Sequence, residues 1–429
     1  MWKKATLISV ALVLSGAMWI WIQAIAIPHQ QVEAAATDTP RGNLSDLYPR
    51  WLGARELLLH GRDPYSNDIT REIQAGYYGR VLDPQRASDP KDQQAFAYPV
   101  YVVLLLAPTV VLPFSIVHAG FFWLLIVITA ASVFLWADAL DWRISFTSKI
   151  VWVLLTLSSF PAIQGAKLQQ LSLLVAALLA CAIWAATRKR LVLAGILFAV
   201  CTIKPQLAGL PIVWLCIWVL GDWRKRQRAL WVFAGAMVVL VGAGELLLPG
   251  WIHRFRDACS AYYQYTGGGR SVLDVALTPG IGRIVSVVLV GLLLVLVWRT
   301  RHASEKERSF QWSFSFALAT TLVVVPTFAP YNQLLLLPAL MFVARSAREL
   351  WEKGFVSRLL LAVTAAVIFE QWIAAFLLAV ALLFLPGVTV QKAWALPFYP
   401  SLTIPVVVCA EMFLAGRRGQ KVADQAVVL

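Results

Sequence analysis

The sequence predicts an all-α polytopic membrane protein that forms a single integral membrane domain over residues 1–429. Of its residues, 59% are hydrophobic and only 14% are charged, and the mean hydropathy is +0.70. Because soluble domains carry about 25% charged residues, most of this surface cannot face water. Apolar runs near the ~20 residues that cross a bilayer also follow one another along the chain.

The formal net charge of +14 lies mainly in short segments between the apolar runs. These segments are 188–190, 224–228, 299–308, 345–358 and 417–418. Short loops rich in Lys and Arg remain on the cytoplasmic side of a membrane. A nucleic-acid surface would be one contiguous basic patch, so we expect membrane lipids, and no nucleic acid, as partners.

The first apolar run, 5–27, follows Lys3 and Lys4 and has two interpretations. The apolar region of a secretory signal is about 7–15 residues long, and this run is longer. We therefore expect a retained span rather than a cleaved signal peptide.

Alternation of spans with basic loops inside predicts about 12 transmembrane helices with both termini cytoplasmic. The predicted spans are 5–27, 115–137, 149–163, 168–187, 190–204, 205–220, 229–249, 280–298, 309–328, 331–345, 357–384 and 397–416. The stretch 98–113 is excluded, because counting it would place two basic clusters outside. Its short length and prolines favour an interfacial helix.

This topology places two polar loops on the extracytoplasmic side: 28–113, with interfacial helices, and a second loop at 250–279. Several predicted spans have only about 15 residues, too few to cross upright. Two of them meet at Lys204-Pro205. Broken backbone and charge at membrane depth are tolerated where they line a watery cavity. The sequence therefore predicts a cavity that opens on the outer face.

Asp46, soon after the first span, has two interpretations. Beside Ser45 it is suited to cap the following helix, the common role of such residues. As a catalyst, its carboxylate would remove a proton from an attacking hydroxyl. Lys204 is equally open: its ammonium group either extends to the lipid headgroups or binds an anionic phosphate.

Other polar features favour architecture over chemistry. Residues 61–65 (Gly-Arg-Asp-Pro-Tyr) predict a turn, and Pro99 suits the first turn of a helix. The tyrosines at 262–265 and the glycines before Arg270 predict either a flexible loop or a lid whose arginine contacts phosphate. The chain shows neither metal-ligand spacing nor a DxD pair near Asp46.

The order of these motifs resembles the GT-C superfamily of membrane glycosyltransferases and, within it, glycosyltransferase family 87. The matching motifs are Asp46, Gly61 to Tyr65, Tyr98-Pro99, Gln169-Gln170, Ala194-Gly195 and Lys204-Pro205-Gln206. The chain departs from the family pattern where Val100 replaces a second proline and where Gln169 replaces a glycine. A third departure is the segment 329–333, which lacks the family's histidine.

The resemblance implies a GT-C-like bundle that acts as an inverting hexosyltransferase. It would move a sugar, expected to be mannose, from a polyprenyl-phosphate donor to a glycolipid or glycan acceptor outside the cytoplasm. It implies Asp46 as the catalytic base, needs no cofactor or metal, and places the protein in the inner or plasma membrane as a cell-envelope enzyme. The substrate-binding residues it implies are Lys204, Gln170, Tyr65 and Asn332, and the lid interpretation of the second loop adds Arg270.

A polytopic transporter or lipid flippase is the alternative function. An even number of spans with both ends inside suits secondary transporters, which usually carry repeats with interrupted helices in matching positions. Here no repeat is visible, and the polar residues gather in the one loop after the first span.

Overall fold

A computed structural model describes residues 2–265, 269–326 and 328–427. Its regular structure is helical over 78% of the chain, and the described ranges contain no strand, which confirms the all-α class. Within these ranges, six helices are long and apolar enough to cross a membrane. They are Lys4–Ala36, Phe114–Ala139, Trp223–Leu247, Pro279–Thr300, Phe355–Ala381 and Gly387–Gly416. The chain is therefore a multi-pass membrane protein.

The first helix runs past Ile27, where the sequence places the end of span one. It consists of α1 (Trp2–Ile20), a π-helical turn (Trp21–Ala26) and α2 (Ile27–Ala36). Proline lacks an N–H group and its ring collides with the carbonyl of the preceding turn, so Pro28 accounts for the widened turn before it. The predicted loop 28–113 therefore begins with a continuation of this helix.

The segment after α2 contains three short helices and one 3₁₀ turn. They are α3 (Tyr48–His60), α4 (Asn67–Tyr78), α5 (Val102–Leu106) and the 3₁₀ turn Ala107–Thr109. Gly61 ends α3 with φ 67°, and the Asp63 carboxylate accepts the N–H of Tyr65 at 2.9 Å. The predicted turn at 61–65 thus forms, while the predicted interfacial helix at 98–113 is reduced to α5 and the 3₁₀ turn.

The remaining helices form the bundle and its connections. The first group is α6 (Phe114–Ala139), α7 (Phe146–Ser158), α8 (Phe160–Lys167), α9 (Leu171–Thr187), α10 (Leu191–Cys201), α11 (Pro205–Gly221) and α12 (Trp223–Leu247). The second is α13 (Trp251–Tyr265), α14 (Val272–Ala276), α15 (Pro279–Thr300), α16 (Arg308–Val324), a 3₁₀ segment (Pro330–Leu336), α17 (Leu337–Arg345), α18 (Ala347–Glu352), α19 (Phe355–Ala381), α20 (Gly387–Gln391), a 3₁₀ segment (Leu396–Leu402) and α21 (Thr403–Val427).

Two kinds of interrupted or short helix appear among the bundle helices. α7 and α8 pass the membrane-span test together but meet at a 57° bend, where Pro161 occupies the first turn of α8. The helices α9, α10 and α11 are apolar but have only 17, 11 and 17 residues. The predicted count of about 12 spans includes these pieces and stays a prediction.

The helices α9 to α11 run back and forth, so their ends collect on two faces of the bundle. Gln170 precedes α9 and Lys204 precedes α11, and both lie at one end. The basic residues of 188–190 and 224–228 lie at the other end. α10 packs closely on α12, since a Cβ at Gly195 would lie 2.5 Å from the Ala229 carbonyl oxygen. At ~1.5 Å per residue, α9 separates the two faces by about 25 Å.

Candidate active site

A polar cavity of about 230 Å³ lies where α9 and α11 begin. Its volume is close to the lower end of the ~300–1,000 Å³ range of small-molecule sites. The segment after the first helix, the starts of α9 and α11, helix α13 and the 3₁₀ segment before α17 all contribute to its wall. Its polar and aromatic lining includes Asp46, Arg50, Asp92, Gln94, Tyr98, Gln170, Lys204, Gln206, Tyr262, Tyr263, Tyr265, Tyr331 and Asn332.

The Asp46 carboxylate is held from two sides. The Tyr77 hydroxyl donates to Oδ1 at 2.9 Å, and the Gln170 amide donates to Oδ2. The Asp46 main-chain N–H donates to the Leu168 carbonyl oxygen at 2.8 Å, which ties this part of the chain to the bundle. Helix α3 has no side-chain cap at Leu47. The side-chain contacts of Asp46 are thus those of a positioned carboxylate and not those of a helix cap.

Lys204 is buried and is bonded to neutral groups. Its ammonium donates to the Gln170 Oε1 at 2.8 Å and to the Ser172 Oγ at 2.6 Å. Its Nζ lies 5.8 Å from the ring centre of Tyr98 and 5.4 Å from that of Tyr331. Within the described ranges it forms no ion pair with a carboxylate. A buried cation without an anionic partner is costly, so this position favours an anion supplied from outside.

Arg50 is a second cation in the same wall. Its guanidinium lies 4.4 Å from the ring centre of Tyr98, and Nη1 donates to the Asp46 main-chain carbonyl at 2.6 Å. The Arg50 Nε is buried, and no partner for it exists among the described residues. Although burial opposes it, the Tyr98 and Asp46 side chains raise the pKa of Arg50, which keeps the guanidinium charged. The cavity therefore holds two cations that no carboxylate neutralises directly.

Gln170 joins the carboxylate to the ammonium, because its amide N–H₂ donates to Asp46 and its carbonyl accepts from Lys204. The line of hydrogen bonds continues from Lys204 through the Ser172 hydroxyl to the Asn332 Oδ1, at 2.6 Å. Each member fixes the orientation of the next, so the Asp46 carboxylate and the Lys204 ammonium belong to one preorganised network.

Gln169 explains the local backbone before α9. It has φ 54°, in the left-handed region that glycine adopts without cost. Its side chain accepts from the Ser45 hydroxyl at 2.5 Å and donates to the His118 carbonyl. Glutamine thus lacks the backbone freedom of glycine at this position, but its side chain forms two hydrogen bonds. One of them is to Ser45, the residue next to Asp46.

Two side chains from the segment between α2 and α6 have shifted pKa values that bear on the cavity. Burial and the neighbouring Asp46 carboxylate raise the pKa of Tyr77, so its hydroxyl remains a donor to that carboxylate. Burial likewise raises the pKa of Asp92, the second acid of the wall. On helix α13, burial raises the pKa of Tyr262 to about 12. The tyrosines therefore offer neutral hydroxyl groups at physiological pH.

The structure gathers most of the sequence-predicted residues. Asp46, Gln170, Lys204 and Asn332 all line the cavity. Tyr65 lies behind the wall, where its hydroxyl donates to the Tyr98 carbonyl at 2.5 Å and supports that ring.

Arg270 is exposed and is not part of the cavity wall. Its main chain accepts from the Phe328 N–H at 3.1 Å, and the next residue, Ser271, starts a capped helix. The backbone fixes the chain here, and the arginine in the cavity wall is Arg50. Residues 266–268 of the predicted lid lie outside the described residues.

Sequence reasoning missed Arg50, Tyr77 and Ser172. Arg50 follows Asp46 by one helical turn, a spacing that could have identified it. Tyr77 is 31 residues from Asp46 in the chain, and no local signal links the two. No group of three or more His, Cys, Asp or Glu side chains suited to a metal occurs in the described ranges.

The fold and the cavity define a class: a multi-pass membrane protein with a charged cavity at one end of its helices. The model of glycosyltransferase family 87 matches residues 96–327, more than half of the chain. No curated protein and no solved structure matches the chain. The chain belongs to glycosyltransferase family 87, and the protein is a membrane glycosyltransferase.

The matched segment includes part of the cavity wall only. Gln170, Lys204 and Arg270 lie within residues 96–327, whereas Asp46, Tyr65 and Asn332 lie outside them. A function for these three residues therefore has to be argued from their contacts.

Proposed function

We propose that the protein is an inverting transferase that moves a hexose, mannose by its resemblance to the family, from a polyprenyl-phosphate donor to an extracytoplasmic hydroxyl acceptor. One observation carries the proposal: Lys204 and Arg50 line one cavity with the Asp46 carboxylate, and neither pairs with a carboxylate of the described residues. Such a cavity suits a substrate that brings a phosphate. The acceptor is a glycolipid or glycan, and the membrane is the inner or plasma membrane.

In the proposed reaction the acceptor oxygen attacks the anomeric carbon in line with the bond to the phosphate oxygen. The carbon–oxygen bond to the phosphate breaks, and its electron pair leaves with the lipid phosphate. Asp46 accepts the proton of the attacking hydroxyl. General-base catalysis of this kind contributes about 10²–10⁴-fold, and the hydrogen bonds from Tyr77 and Gln170 fix the direction of the accepting oxygens.

Lys204 and Arg50 stabilise the charge that develops on the leaving phosphate. Preorganised charges of this kind are often the largest contribution to catalysis. The helices α9 and α11 both begin at this wall, and the positive ends of their dipoles add to the effect. Asn332 holds Ser172 and the Lys204 ammonium in place from the other side.

The transporter alternative finds less support. Membership in a transferase family favours transfer over transport.

The test is sugar transfer by purified protein in lipid nanodiscs with polyprenyl-phosphate hexoses and candidate glycolipid acceptors, read by product mass. We expect Asp46→Asn to lower turnover by about 10²–10⁴-fold while thermal stability is kept. Asp68→Asn, an exposed acid of helix α4, is the matched control and should retain turnover.

Asp92→Asn tests the second acid of the cavity. If it abolishes transfer while Asp46→Asn does not, the assignment of the base is wrong. Uptake or flipping of a lipid-linked sugar in liposomes that lack any acceptor, with no product formed when an acceptor is present, would overturn the proposed function.

A further inference from the structure

An open groove of about 790 Å³ lies at the end of the bundle opposite the charged cavity, between the first turns of α10 and α12. Five exposed cations line it: Lys189, Arg190, Arg224, Lys225 and Arg228. They come from the turn before α10 and from the first two turns of α12, and the fold brings the two groups together around one hollow.

Four of the five cations of this groove have no carboxylate partner within the described residues. Among the ion pairs of the described residues, only Lys225 has a carboxylate partner, Asp222, at 3.0 Å. Several basic side chains that do not line the groove do have such partners. They include Arg188 with Asp138 at 2.5 Å, Arg308 with Glu349 at 2.6 Å and Arg348 with Glu352 at 3.2 Å. The groove is therefore a local excess of positive charge, beyond the general bias of these loops.

The position on α12 adds to this excess. Arg224, Lys225 and Arg228 fall in its first two turns, and the first turn contains no acidic residue. The dipole of a helix makes its N-terminus favourable for anions and unfavourable for cations. An anion bound here would relieve both the mutual repulsion of the side chains and their repulsion by the dipole.

The wall of the groove away from the cations is apolar. Val192 and Ile196 line it and are 37% and 42% exposed. The neighbouring Gly195 approaches the Ala229 backbone closely, so α10 and α12 touch beside the groove. Free phosphate would leave this aliphatic wall exposed to water, whereas an acyl chain attached to the anion would cover it.

We propose that this groove binds an anionic membrane phospholipid. Its phosphate lies among Arg190, Arg224 and Arg228, and an acyl chain lies along Val192 and Ile196. Basic pockets between membrane helices are known to suit such headgroups. The site is separate from the charged cavity, on the opposite face of α9 to α11, and does not depend on the proposed sugar transfer.

The test compares retention of phosphatidylglycerol and of neutral phosphatidylcholine by the full chain in detergent micelles, measured by native mass spectrometry. We expect a preference for phosphatidylglycerol. The triple variant Arg190→Gln, Arg224→Gln, Arg228→Gln should lower the affinity for it roughly 100-fold, from about one kilocalorie per mole for each cation, and leave phosphatidylcholine unchanged.

Two further variants decide the interpretation. Arg299→Gln, Lys306→Gln, Arg348→Gln removes the same charge from neighbouring loops of the same face and should retain the preference. Ile196→Trp fills the apolar wall without a change of charge and should lower phosphatidylglycerol affinity at least tenfold. The proposal is overturned if both triple variants weaken binding equally, or if Ile196→Trp has no effect, since a diffuse charge or a free phosphate site would then account for the binding.

Discussion

Two buried cations lie at opposite ends of α11, and their surroundings differ. Lys204 and Arg226 are each 5% exposed. Arg226 donates to three main-chain carbonyls, of Trp218, Arg301 and Ala303, and its Nε lies 3.8 Å from the Glu305 carboxylate. Lys204 is bonded to an amide and a hydroxyl and faces a cavity. Burial alone therefore does not distinguish the two cations, whereas the carboxylate partner of Arg226 does.

The largest effect is expected for Lys204→Met. Loss of a preorganised charge at a leaving group typically costs 10²–10³-fold in turnover, about 2.7–4 kcal/mol. Stability should change little, because removal of a buried charge without a carboxylate partner offsets the loss of the donor to Gln170 and Ser172. Turnover and the thermal midpoint are measured side by side, with Lys167→Met as the control for the same chemical change. A variant that unfolds but keeps its turnover per folded molecule would make Lys204 structural, like Arg226.

Arg226→Met should show the opposite pattern. Three carbonyls would lose their donor, and each unsatisfied buried group costs about 1–3 kcal/mol. We expect a loss of about 3 kcal/mol of unfolding free energy in denaturant titration, with turnover per folded molecule retained. The exposed Arg299 of α15 provides the control, Arg299→Met. Equal stability of the two variants would contradict the structural role assigned to Arg226.

Gln170→Leu sharpens the comparison at the cavity end. The variant breaks the link between the carboxylate and the ammonium but keeps the volume of the side chain, so both groups lose orientation. We expect kcat to fall about tenfold, the cost of roughly one hydrogen bond to a charged group. Gln164→Leu on α8 makes the same change away from the cavity and should leave kcat unchanged. Parallel effects of the two would refute the linking role.

The smallest effect is expected for Gln169→Gly. Glycine relieves the left-handed backbone, by about 1 kcal/mol, and the loss of two hydrogen bonds offsets this gain. Stability should therefore change by less than about 1 kcal/mol, while turnover falls a few-fold as Ser45 loses its anchor. Gln169→Asn, which keeps an amide but shortens its reach, separates the two contributions. Wild-type turnover in both variants would show that the hydrogen bonds of Gln169 to Ser45 and His118 do not position Asp46.

The all-α class and most helix positions followed from the sequence, because hydropathy and chain breakers act locally. The span predicted at 205–220, for instance, corresponds to α11, Pro205–Gly221. The break at Lys204-Pro205 followed from the cost of a charge within an apolar run. The sequence placed the end of the first span at Ile27, where the apolar run stops. The helix continues to Ala36 because the polar residues that follow contain no helix-stop signal before Thr37.

The site was less predictable than the fold. Asp46 and Lys204 came from residue types and from a family resemblance, and the structure brings both to one cavity. Arg50 and Tyr77 were missed, and Arg270 was predicted in the site, because the position of each depends on the path of a segment between long helices. For Arg50 and Tyr77 this is the segment between α2 and α6, and for Arg270 it is the connection after α13. The path of the first segment is fixed by long-range contacts such as the hydrogen bond from Tyr77 to Asp46, which no local pattern encodes.

Two hydrogen bonds join the chain around Asp46 to the turn before α9, one from the Asp46 amide to the Leu168 carbonyl and one from Ser45 to Gln169. They have a consequence for redesign. A chimera that exchanged only residues 28–113 for those of another enzyme would separate the acid from the groups that hold it. The turn at 168–170 would have to be transplanted together with the segment. The exchangeable module of this enzyme is thus discontinuous in sequence, and its smallest unit spans both sides of α6.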